Sequence, residues 1–222
     1  MPVHRIQSDK TQGEFYSRQN NGVGDLIVTA DAQVFSAPHI SLELGVKFAT
    51  GSVDKVDELG QRICDILSLG SGTTDFLLGS NLWVPHLGLD KLDLNAGIRY
   101  RFSGGQNKWG YAYGDQASAR AHISYPVTET IRTGLRFDAW HADKDTWFDK
   151  VVPERGATFV YAAPTLYWNI RDDISVGTFI RFPLYMNLVG SQMVSSYSIG
   201  LGFTTDLSNA FRAALGPLGL GQ

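Results

Sequence analysis

The side chains of this 222-residue chain that could do chemistry are mostly charged, and many stand two residues apart: Glu43, Lys47, Asp93, Arg99, Arg101, Arg120, His122, Arg132, Arg136, Asp138 and Arg181. A spacing of two puts neighbours on one face of a strand, so Arg99 with Arg101, Arg120 with His122, and Arg136 with Asp138 each share a face. Arginine outnumbers acid in the set. Lining a narrow passage, such a surplus attracts anionic solutes such as aromatic carboxylates, because charges on low-dielectric walls focus the field. The same arginines equally suit pairing with carboxylates as filler inside a closed sheet, and both readings stay open.

His122 and Ser124, in the stretch ARAHISYP, also share a strand face. A nucleophilic dyad needs an imidazole within hydrogen-bond reach of the hydroxyl and an acid to orient it, and Glu129 and Asp138 are candidates across the following hairpin. The pair has the His-x-Ser spacing of outer-membrane lipid A deacylases, although the surrounding motif does not match and the face is the polar one. His4, His39, His86, His122 and His141 lie far apart without ligand spacing, Cys64 is the only cysteine, and the Gly-rich runs precede strands rather than helices. No metal, nucleotide or other cofactor is predicted. Trp109, Tyr111 and Tyr113 beside Lys108 make an aromatic-rich loop that suits either a planar substrate or an aromatic girdle.

The elements that must carry these residues are strands. Ile40, Leu42, Leu44, Val46 and Phe48 alternate with Ser41, Glu43, Gly45, Lys47 and Ala49; Leu92, Leu94, Ala96, Ile98, Tyr100 and Phe102 alternate with Asp93, Asn95, Gly97, Arg99, Arg101 and Ser103. The same period of two runs through Leu26 to Phe35, Asp75 to Val84, Gln116 to Tyr125, Thr130 to His141, Ala157 to Asn169, Asp173 to Leu184 and Ser196 to Thr205, which predicts nine strands. Two stretches depart. Val53, Val56, Leu59, Ile63, Ile66 and Leu67 fit a short amphipathic helix over Asp54 to Leu67 or an ordered loop with apolar anchors, and Leu207 to Leu215 fits a terminal helix capped by Ser208 and stopped at Gly216-Pro217.

Composition narrows the classes. Glycine supplies 24 residues, about 11% against a usual 7%, which disfavours a helical bundle. No eighteen-residue window is apolar throughout, and with 19 basic residues spread along a chain of net charge -3, no nucleic-acid surface is predicted. The joins between predicted strands alternate strictly: Ser36 to His39, Pro85 to Lys91, Pro126 to Glu129 and Arg171 to Asp172 are short, while Thr50 to Thr74, Gly104 to Asp115, Ala142 to Gly156 and Tyr185 to Ser195 are long. Outer-membrane barrels have this asymmetry, with short periplasmic turns and long extracellular loops.

Alternation by itself fits a soluble barrel-like ligand-binding protein, apolar face inward, as well as a membrane barrel with that face outward. The polar face favours the membrane, being rich in Gly, Ser, Thr and Asn where a water-facing one carries many Lys and Glu. Turning Arg99 and Arg101 to lipid would cost roughly 2 to 4 kcal/mol each near the midplane, so the arginines belong inside. Phe48, Trp83, Tyr100, Phe102, Tyr125, Phe137, Tyr167, Phe182, Tyr185 and Phe203, near segment ends, are expected in the interfacial girdles. The expected fold is therefore all-β, an antiparallel up-and-down transmembrane barrel of ten or twelve strands located in the bacterial outer membrane. Its division is an N-terminal segment 1–21 with room for one strand, poorly alternating, around Val3 to Ser8 or Phe15 to Arg18; a barrel over 22–206; and a short helix with a periplasmic tail over 207–222. Met1 leads into Pro2, Val3, His4 and Arg5 with no apolar h-region behind them, from which a precursor beginning further upstream is expected.

Several stretches together resemble a known bacterial family. GVGDLIVTADAQVF from Gly22, LELGVKFATG from Leu42, LGSGTTDFLLGSNLW from Leu69 and NAGIRYRFSG from Asn95 are similar to outer-membrane barrels of the meta-pathway phenol-degradation transporter family, over roughly residues 22 to 205. The motifs are Gly24-Asp25 before a strand, a Gly-Val-Lys strand closing in Thr50-Gly51, and Gly70-Ser71-Gly72 leading to Thr74-Asp75-Phe76. The resemblance implies passage or binding of small hydrophobic or aromatic compounds, with outer-membrane lipid as surroundings. A soluble ligand-binding barrel and a lipid deacylase using His122 and Ser124 are the alternatives.

Overall fold

The computed structural model describes residues 2–11, 14–57, 60–88, 91–171, 173–190 and 196–205, and about two thirds of these are in strands. In chain order the strands are β1 (Pro2–Thr11), β2 (Glu14–Val23), β3 (Leu26–Ser36), β4 (His39–Phe48), β5 (Asp75–Val84), β6 (Asp93–Phe102), β7 (Tyr111–Ala112), β8 (Gln116–Pro126), β9 (Ile131–Ala142), β10 (Thr146–Trp147), β11 (Lys150–Val151), β12 (Ala157–Arg171), β13 (Ile174–Leu188) and β14 (Ser198–Thr205). Nine of them make one sheet in the order β3-β4-β5-β6-β8-β9-β12-β13-β14, every pairing antiparallel. These are the nine segments whose alternation predicts strands. The two-residue strands β7, β10 and β11 form a small separate sheet inside the long joins, which the sequence reading did not foresee.

Register sorts the side chains into two kinds of row. One runs Leu44, Leu78, Tyr100, Ala117 across β4, β5, β6 and β8, with Leu42, Ser80, Ile98, Ala119 beside it. The other runs Glu43, Gly79, Arg99, Ser118, Trp140 from β4 to β9. Burial is reversed from that of a water-soluble sheet: Leu44 is 63% and Leu201 81% exposed, whereas Glu43 is 4% and Asp75 1% exposed. Ionised groups lose hydration when buried and need partners, so this polar face is organised by pairing and the apolar face has no protein cover.

The sheet curls with the polar face inside. Glu43 of β4 and Arg181 of β13 line the same cavity of about 300 Å³. Six strand spacings of about 4.8 Å would hold those strands about 29 Å apart if the sheet were flat. Closure is not seen: β3 and β14 are the edge strands, and among the described residues neither has a strand on its outer side.

Two expectations need correction, and one open alternative is decided. The segments expected to supply a strand beside β3 lie in β1 and β2, which pair with each other as a separate two-stranded sheet. Asp54 to Leu67 takes the second of its two readings, an ordered loop in which the only helical turn among the described residues is a 3-10 turn at Asp65–Leu67, with Val53, Ile63 and Leu67 as buried anchors and Leu59 outside the described residues. The helix loses because the Asp57 carboxylate accepts the Gln61 N–H, Gly60 takes φ +73°, and Ile63 donates back to the Lys55 carbonyl, closing a turn instead. Trp83 and Tyr167 do not join an outward girdle: Trp83 pairs with His39 and Asn95, and Tyr167 with Arg132, on the polar face. The helix expected over Leu207 to Leu215 lies outside the described residues.

Candidate functional site

The charged candidate residues converge on the concave face, and two regions of it differ in charge. At the long-join end, the Lys47 ammonium lies 2.5 Å from Asp75, 3.4 Å from Asp25 and 2.5 Å from the Ser71 hydroxyl, with Arg101 3.5 Å from Asp75. Asp25 also accepts the Gly51 N–H at 2.9 Å, the Ser71 N–H at 2.8 Å and the Ser71 hydroxyl at 2.9 Å. Thr73 donates to Asp75 at 2.9 Å, and the Gly104 N–H does so at 3.1 Å. Two cations face two carboxylates in a buried knot that sums to zero charge. Gly51 and Gly70 let the chain cross there, since a Cβ on either would stand 2.6 to 2.7 Å from the other's backbone. Every motif that carries the family resemblance, from Gly24-Asp25 to Thr74-Asp75, therefore meets around Lys47.

Above the knot the long joins build a cap. Asn107 donates to the Asp65 carboxylate and the Ser71 carbonyl, both at 3.2 Å, and Tyr113 donates to the Asp65 carbonyl at 2.7 Å. Tyr111 is buried and donates to Asp145; burial first, then that carboxylate, pushes its phenol well above the usual tyrosine range. Trp109 is exposed, donating to Asp54 at 3.0 Å with the Arg62 guanidinium 4.8 Å over its ring. A hydrogen bond from Lys108 holds the Asp54 carboxyl below the usual aspartate value. The three loop aromatics thus serve as ties within the cap, with only Trp109 presenting an open face.

Further along the face, towards β9 and β13, charges are less evenly matched. Arg99 reaches Glu43 at 2.7 Å, Arg132 reaches Asp93 at 2.5 Å, and Asp138 is shared by Arg120 and Arg136, each at 2.9 Å. Arg181 donates to the Ser198 hydroxyl at 3.1 Å and lies 4.6 Å over the Tyr161 ring. Arg136 lies 4.5 Å over the Phe179 ring. Trp140 stacks on Phe159 at 5.5 Å, and Phe159 on Tyr161 at 5.8 Å. The structure thus brings the predicted charged residues to one face, mostly as pairs, and adds an aromatic stripe that sequence reasoning missed. The signal for it was obscured because β12 alternates aromatic with aliphatic, and only its register against Asp138 and Arg136 tells inside from outside.

His122 and Ser124 share that face without forming a dyad. His122 Nε2 lies 3.0 Å from the Thr165 hydroxyl, and the Ser124 hydroxyl accepts a hydrogen bond from Arg132 at 3.0 Å. Of the two candidate orienters, Asp138 is engaged by Arg120 and Arg136. Among the described residues no group of three His, Cys, Asp or Glu is placed to hold a metal ion.

No curated protein matches the sequence. The knot around Lys47, built from the quoted motif residues, lies within the stretch 3–184 that matches the family model described as "Putative MetA-pathway of phenol degradation", and the chain belongs to that family.

Proposed function

We propose that the chain is an outer-membrane barrel that passes or binds small hydrophobic or aromatic compounds. The observation that carries this reading is the reversal of faces, with apolar rows bare on the convex side and ion pairs buried on the concave side. In water the convex face would be an aggregation surface far larger than the few hundred Å² that soluble monomers expose, whereas in lipid it is the stable arrangement. Strand length agrees. Ten residues span about 33 Å, and a tilt of roughly 40° brings that to about 25 Å, the height of an outer-membrane apolar band. Phenolic and other aromatic solutes are the class suggested by the family's description. With eight antiparallel steps between them, β3 and β14 run in the same direction, so closure in the usual antiparallel manner takes a further strand between the two edges.

Urea-washed membrane fractionation with heat-modifiable gel migration tests the placement, and swelling of liposomes carrying the purified protein tests passage. The expected result is membrane retention, faster migration before boiling and entry of small aromatic solutes. Recovery of a folded monomer in buffer without detergent would overturn the reading in favour of a soluble ligand-binding barrel.

A further inference from the structure

The cavity on the concave face carries more cation than acid where the face is also most aromatic. Arg99, Arg120, Arg136 and Arg181 line it against Glu43 and Asp138, so four guanidinium groups less two carboxylates leave two positive charges. Glu43 is taken by Arg99, and one carboxylate serves both Arg120 and Arg136. Among the described residues no carboxylate stands within 4.0 Å of Arg181. Arg136 and Arg181 each lie on an aromatic ring, Phe179 and Tyr161, which fixes the guanidinium plane and leaves its N–H edge to donate. Trp140 forms another part of the wall, at the head of the stack that continues through Phe159. A planar fork of donors matches a carboxylate, an indole matches an aromatic ring, and about 300 Å³ suits a single small ligand.

We infer that this cavity is a binding site for an aromatic monocarboxylate, with Arg181 as its first carboxylate ligand, Arg136 as the second donor and Trp140 against the ring. This rests on reading the concave face as the solute path, and the experiment reads binding rather than passage so that the two can fail separately. The full chain, folded in detergent, is titrated calorimetrically with benzoate, with neutral benzamide and with acetate. Benzoate binds about tenfold or more tighter than either, from the charge-assisted hydrogen bonds in one comparison and ring contact in the other. Arg181→Gln removes the advantage of benzoate over benzamide and leaves benzamide within about twofold. Asp138→Asn acts in the opposite direction, tightening benzoate, because it frees two guanidinium groups; a purely structural role for the cluster would not produce that sign. Heat-modifiable migration checks that each variant folds, and either variant alone suffices. Equal binding of benzoate and benzamide, or no response to either substitution, overturns the site and leaves the passage reading standing. Benzoate-selective binding in a protein that admits no solute to liposomes supports the site and overturns passage.

Discussion

Replacing Lys47 by Met removes one cation from a knot in which every charge is matched. The Lys47 side chain and the Asp75 carboxylate are both buried, and Asp25 is nearly so. Without the ammonium, two carboxylates face the single guanidinium of Arg101, which lies 3.5 Å from Asp75 and is partly exposed. One uncompensated negative charge then remains in a site that water does not reach. Breaking a buried pair from one side costs about 3 to 5 kcal/mol, and the value belongs at the lower end here because Arg101 stays. Asp25 moreover keeps its two backbone N–H donors from Gly51 and Ser71. About 3 kcal/mol corresponds to roughly a hundredfold in the unfolding equilibrium. Asp75→Asn alone is milder, since Lys47 retains Asp25 and the Ser71 hydroxyl. The double variant Lys47→Met plus Asp75→Asn removes both members and recovers a large part of the loss. The assay is urea unfolding in lipid vesicles, followed by the fraction that migrates as the folded band without boiling. A Lys47→Met protein as stable as the parent, or a double variant no more stable than Lys47→Met, would refute the assignment of a closed, neutral knot.

Gly51→Ala is expected to destabilise by several kcal/mol on the same assay, since its Cβ would meet the Gly70 backbone at 2.7 Å; Gly60→Ala, with open space around it and φ +73°, costs only about 1 kcal/mol. Asp54, held below the ordinary aspartate value by the hydrogen bond from Lys108, is more than half ionised at pH 3.8. Its pairing in the cap is therefore present at neutral pH and lost as pH falls through its lowered pKa, so the fluorescence difference between the parent and Asp54→Asn, reporting Trp109, fades with a midpoint below 3.8; a midpoint at or above 3.8 contradicts the hydrogen-bonded geometry. His122→Ala and Ser124→Ala leave entry of small aromatic solutes into liposomes within about twofold, consistent with separate partners for the two side chains. Loss of lipid A deacylation in either variant, measured on purified lipid, would instead establish an enzyme.

Strands were legible because a sheet with one polar face must alternate, and alternation survives whichever face is turned to solvent. β5 runs over Asp75–Val84 as its period of two indicates, while β13 continues to Leu188, beyond the predicted end at Leu184, because Tyr185 and Met186 still find partners in Val160 and Phe159. What periodicity cannot report is the partner strand. Trp83 lies near a strand end like Phe102, yet register places Trp83 opposite Asn95 on the polar face and Phe102 opposite Phe76 on the apolar one. Phe159 and Tyr161 were hidden for the same reason, since both faces of β12 are apolar there. In the sequence Asp25 only precedes a strand and Asp75 only opens one. Their chemistry depends on Ser71 and Lys47, brought to them by a fold that joins residues 46 and 28 positions apart.

The two halves of the concave face then differ in charge balance, which a single run of charges in the sequence does not show. Around Lys47 cations and carboxylates are equal in number, buried and crossed by the Gly51 and Gly70 backbones, which leaves no room for a solute and ties the first long join to the sheet. Towards β9 and β13 the cations are in excess, and Arg120 remains 62% exposed despite its carboxylate. Filler requires neutrality, because each unmatched buried charge costs free energy that nothing returns; a binding surface requires the reverse, an excess that water can reach and a ligand can neutralise. The arginine surplus of the sequence is therefore no average property of the face. It is concentrated beside Trp140 and Tyr161, where Arg181 has no carboxylate partner among the described residues and one carboxylate serves two arginines, whereas complete matching of charge is found at the end where Asp25, Gly51, Gly70 and Asp75 meet.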